Sequence, residues 1–248
     1  MVPEKAIDEF VVRIRQAAGE NLQSVILYGS AVSGEFHAEF SNVNLLCVVR
    51  EASYAALGAV APAVEWWTRQ KRHVPLVLTG EELERSADVF SIELLDMQQR
   101  HRVLFGADVL AGLKIPMHLH RAQLEYELRE KTILLRERLL VTGTNKKQLW
   151  DLLLTSLSTF VTLFRHSLIA FGEAPPNSKR ETIRALAKRI QFDPSAFLQL
   201  LDAREAKADQ NQFDAADVFA RYLAAIQQVT SAVDRMLDST ESHSSQQS

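Results

Sequence analysis

The sequence predicts an α+β first half, a mixed sheet with flanking helices, followed by an all-α bundle of about five helices. Three observations predict it. Short apolar runs at 25–27, 43–49 and 73–78 have the length of buried strands and are bounded by turn-forming residues. Segments of helical period lie between these runs, an alternation that argues for helices layered on a sheet. From Met117 onward apolar residues recur at spacings of three and four with no further strand-like run.

In order, residues 3–18 read as an amphipathic helix with Ile7, Phe10, Val11 and Ile14 on one face, ended by Gly19. Residues 24–50 follow as strand, turn, polar connection and strand. The turn is Tyr28-Gly29-Ser30. Gly29 lets the backbone turn tightly and approach a ligand closely. Ser30 is suited to cap a following helix, where amides and a hydroxyl together cradle a phosphate. Residues 51–72 read as a helix packed along Leu57, Val60, Val64 and Trp67, with a kink or restart expected at Pro62. Trp66 and Trp67 are expected in packing rather than base stacking. Arg69, Lys71, Arg72 and His73 form a basic run that suits a solvated helix end.

After the third apolar run, Thr79 is placed to cap a helix beginning near Glu81 and Glu82. Residues 90–99 form a further helix, with Ile92, Leu95 and Gln99 expected inward. Residues 102–105 make a short closing strand ended by Gly106. The boundary falls near Leu113, Ile115 and Pro116, giving a first domain over 1–115, a bundle over 116–238 and a polar, disordered tail over 239–248. The bundle starts with a helix at 118–140 carrying Leu124, Leu128, Leu135 and Leu139 on one stripe. A more apolar helix at 146–171 is expected at the centre. Ser178 and Pro194 start two shorter helices, and the last runs over 214–238.

The residues Leu27-Tyr28-Gly29-Ser30, Gly34 and Ser41 to Leu46 resemble the core of the DNA polymerase beta-like nucleotidyltransferase superfamily. The stretches 90–96 and 101–108 resemble the close of that domain in bacterial members. The helical remainder is similar to the C-terminal domain of kanamycin nucleotidyltransferase and to the HEPN group, without the Arg-to-His spacing of HEPN ribonucleases. The resemblance implies a nucleotide site at Gly29 and Ser30 and an Asp-x-Asp metal pair on the next strand. Those two positions are Asn42 and Asn44. Side chains two apart on a strand share a face, and Mg2+ prefers anionic oxygen ligands there. The double change therefore removes two charges from the implied metal site. The strand expected to bring a third carboxylate, at 73–78, has none. Glu35 and Glu39 lie in the connection and could be proposed as substitutes, but acids in a loop are usually just solvated.

The chain has 248 residues, 47% of them hydrophobic, and a net charge of -3. That balance offers no basic field for nucleic acid. Its one cysteine, Cys47, excludes an internal disulfide, sits in an apolar run as a buried thiol and suits a reducing compartment. The sequence shows no secretory signal and no stretch near the roughly 20 apolar residues of a membrane span. The seven histidines show no metal-ligand spacing. A cytoplasmic location, no membrane and no cofactor are expected, with Mg2+ entering only if the site proved active. Three readings remain open: a catalytically degenerate nucleotidyltransferase-like protein that binds a nucleotide, a phosphate, a homodimer mate or another protein; an active nucleotidyltransferase with other metal ligands; and an interaction module without a ligand.

Overall fold

Seven uncharged residues, LQSVILY, form the strand β1 (Leu22–Tyr28). Ser24, Val25, Ile26 and Leu27 in it are fully buried. β1 pairs antiparallel with β2 (Asn44–Val49) and with β4 (His101–Gly106). β2 pairs in parallel with β3 (Leu76–Thr79). The order β3-β2-β1-β4 makes the sheet mixed. A parallel neighbour requires a crossover connection, and α2 (Tyr54–Thr68) lies in it. The computed structural model describes residues 2–32 and 42–244, with side chains through 236. The chain divides into two compact units, Met1–Pro116 and Met117–Ser248.

In the first unit, one sheet face packs under α1 (Glu4–Ala18) and α2. Ile7, Phe10 and Ile14 of α1 meet Leu27, Leu45 and Cys47 of the sheet. The Phe10 and Trp67 rings lie 5.1 Å apart. Trp67 is completely buried, and its Nε1 donates to the His73 carbonyl at 2.8 Å. Truncating an aromatic so placed costs about 3–5 kcal/mol. The other face carries Ile26, Leu46 and Val48 against Leu83 of α3 (Gly80–Arg85) and Leu94 and Met97 of α4 (Ser91–Gln99). Thr79 caps α3 with a full capping box: Thr79 Oγ1 accepts from the Glu82 amide at 3.1 Å, and Glu82 accepts from the Thr79 amide at 2.8 Å.

Some expectations change. α2 runs through Pro62 without a break. Pro62 is exposed, and the residue four earlier, whose carbonyl a proline ring crowds, is Gly58. Leu57 is 42% exposed, and Ala63 takes the buried place between Val60 and Trp67. Gln99 is exposed at the end of α4, where Leu94 and Met97 face inward instead.

The second unit holds α5 (Met117–Thr142), α6 (Lys146–Ala170), α7 (Lys179–Ile190), α8 (Ser195–Arg204) and α9 (Ala215–Ser244). α6 packs against each of the other four. By length and composition it could cross a bilayer, contrary to the sequence expectation, but 67% of its most apolar window is buried in the bundle. Phe160, Phe164, Phe197 and Tyr222 cluster at its centre in edge-on and tilted contacts. α9 continues past Asp238, where the sequence reading ended it. No Gly or Pro follows Pro194 to stop it.

Candidate functional site

β1 ends, and β2 and β4 begin, at one end of the first sheet. In register, Tyr28 stands beside Asn44 of β2 and His101 of β4. The chain leaves Tyr28 through a 3-10 turn, Gly29–Ala31, with no side-chain cap. Ser30 lies within this turn, and the segment it was expected to cap falls outside the described residues. Gly29 has φ +79, a left-handed value that favours glycine, and a Cβ there would sit 3.3 Å from Asn44 Nδ2. The Gly29 amide donates to the Arg100 carbonyl at 3.0 Å, pinning the turn to the start of β4. Gly29, Ser30 and Asn44 are half-buried, while Asn42 is exposed two residues ahead of β2. The structure therefore places Gly29 beside Asn44, with little room to spare for any side chain larger than hydrogen. Gly34, Glu35, Glu39 and Ser41 lie outside the described residues.

The site has a neighbour that the sequence did not announce. The Tyr28 hydroxyl titrates above its ordinary range because it is buried and because the charge of Glu93, on α4, opposes its ionisation. Tyr28 thus stays a hydrogen-bond donor at neutral pH and above. Tyr28 adjoins the Gly-Ser turn in sequence, but Glu93 is far along the chain and no spacing pointed to it.

His101 and Arg102 serve the fold. His101 Nδ1 lies 3.1 Å from the Gln98 carbonyl and Nε2 lies 3.1 Å from the Asp108 carboxylate. The Asp108 carboxyl is held below its usual range by His101 and by the Ala111 and Leu110 amides. Arg102 pairs with Glu4 at 2.6 Å. In the basic run, Arg69 pairs with Glu65 and Arg72 stacks 4.4 Å over Trp67. In the second unit, Arg165 and His166 are buried within the bundle, and His166 Nδ1 meets His120 Nε2 at 2.9 Å. Arg180 pairs with Asp202 and Glu205.

A two-metal centre needs converging anionic oxygens. Among the described residues, no three His, Cys, Asp or Glu side chains are placed to hold a metal ion. Asn42 and Asn44 supply neutral amides, so these residues do not fit the implied metal pair. An amide does offer what a carboxylate lacks, an N–H donor.

No family model and no curated protein matches the chain. Among solved structures, a spectinomycin adenyltransferase AAD(9) from Enterococcus faecialis, solved with ATP and spectinomycin, aligns at TM-score 0.58 and 13% identity, covering 93% of this chain and 99% of that one. A toxin-antitoxin solved with AMP-PNP aligns over 41% of this chain and 74% of that one at 13% identity, with a TM-score of 0.29, too low to carry an argument. The first likeness shows the fold: a nucleotidyltransferase-like α+β sheet followed by a helical bundle.

Proposed function

We propose that this protein binds a nucleotide at the Gly29 end of its first sheet without performing two-metal nucleotidyl transfer. The observation that carries the reading is the placement of Asn44 beside the Gly29 turn, at a position where the resemblance implies a metal-binding carboxylate. With Asn42 and Asn44 neutral, a triphosphate meets amide donors instead of a cation bridge. A solved adenyltransferase of the same fold holds ATP, which supports a nucleotide as the ligand. The protein so read is a cytoplasmic binding protein, a pseudoenzyme whose output passes to a protein partner or a second copy.

Thermal unfolding against nucleoside triphosphates, each with and without Mg2+, tests this. A ligand at 100 times its dissociation constant adds about 2.7 kcal/mol, a shift of roughly 5–10 °C for a chain of this size. The expected result is a shift with nucleotide alone, unchanged by Mg2+. The Asn42→Asp, Asn44→Asp protein gains a Mg2+-dependent shift. No shift with any nucleotide overturns the reading and leaves an interaction module without ligand. The alternative, an active enzyme with other metal ligands, has one candidate carboxylate near the turn, Glu93, whose charge bears on Tyr28. It requires a Mg2+-dependent shift in the unaltered chain that Glu93→Gln removes.

A further inference from the structure

α5 is apolar on two faces. One face, with Leu124, Leu128 and Leu135, is buried in the bundle. On the other, Tyr126, Ile133 and Leu140 are 63, 53 and 83% exposed, and Val141 beside Leu140 is 90% exposed. Tyr126, Ile133 and Leu140 recur every seven residues, close to two helical turns, and so form one line along the helix. Residues seven apart occupy one heptad position, so the three make a single column, half of a two-position seam, on which a facing helix can pack.

The charges beside the seam say which molecule. Arg136 lies on one edge, and Glu137, with Glu130 seven residues before it, lies toward the other. Arg136 and Glu137 are exposed, and neither makes an ion pair among the described residues. A two-fold interface requires a patch that complements itself. A parallel second α5 set along this seam meets that requirement: Ile133 faces the partner's Ile133, and Glu137 on one copy faces the partner's Arg136, twice over. A groove of about 510 Å³ beside Val141, lined also by Leu152 and Thr155, gives the end of the seam room for an apolar side chain. We infer that this face of α5 binds a second copy of the chain in a parallel helix pair. The inference stands apart from any ligand at Gly29.

Sedimentation velocity of the full chain across micromolar concentrations tests it. The expected species has twice the 27.9 kDa chain mass. Ile133→Glu with Leu140→Glu places carboxylates in the seam and leaves monomer, with helix content by circular dichroism unchanged because both positions are exposed. Glu137→Arg alone sets like charges together and weakens the dimer about tenfold. Adding Arg136→Glu reverses both edges and restores it, a result that local unfolding does not mimic. A monomer at every concentration overturns the inference and gives the face to a different partner. A dimer indifferent to Ile133→Glu with Leu140→Glu, or to the charge exchange, overturns it as well.

Discussion

Gly106 closes β4 at φ +77, and a Cβ there would overlap the Gln23 carbonyl oxygen of the neighbouring strand. The sequence marks it only as the end of a strand, because the atom that forbids a side chain comes from far earlier in the chain. Gly106→Ala combines backbone strain with that collision and costs about 2–4 kcal/mol in urea unfolding. Gly112, with open space around its Cα, is the control: Gly112→Ala stays within about 0.5 kcal/mol. Other residues were readable directly. Cys47 was expected as a buried thiol. It is 1% exposed, and burial pushes its pKa up to about 12. Gly29 was legible from its place between an apolar run and Ser30. Its place beside Asn44 was not, since that depends on the register of two strands.

Elements whose signals are local were read well. The inward stripe of α1, the cap at Thr79 and the central position of α6 each follow from spacing within one segment. What crossed between elements was lost. His118 and His120 lie two apart on one helix, where side chains do not meet, so spacing along the chain gives His120 no partner. The actual partner of His120 is His166, on the adjacent α6, and both rings are fully buried. Replacing either by Leu takes a buried hydrogen-bond partner from the other and costs about 1–3 kcal/mol. Replacing both costs less than the sum of the two, by about 0.5 kcal/mol or more, in a double-mutant cycle read by chemical denaturation. Additivity would show that the contact carries no coupling. The two-faced character of α5 escaped for a related reason: its inward leucines account for one helical period and conceal the seven-residue line opposite.

For the molecule as a whole, the alternation of strand and helix followed by unbroken helical period was enough to give the architecture. The site was legible only in part: its turn and its two amides lie on one stretch, while the carbonyl of Arg100 and the charge of Glu93 arrive through folding. Net charge also acts at this scale. At -3, its 28 lysines and arginines are outnumbered by 31 acids, so the chain lacks the net positive field that draws a polyanion. Fluorescence anisotropy with duplex DNA at about 0.15 M salt is expected to show no binding tighter than about 0.1 mM, and micromolar binding would contradict this. The order β3-β2-β1-β4 has a consequence for synthesis. One of the two inner strands of the finished sheet, β1, is the first one made, and one of its two neighbours is the last. While the ribosome works from β2 to β4, the uncharged LQSVILY segment is a bare edge of the kind that templates misassembly. Translation stalled in that interval leaves this edge open for longer, and with it the route to misassembly.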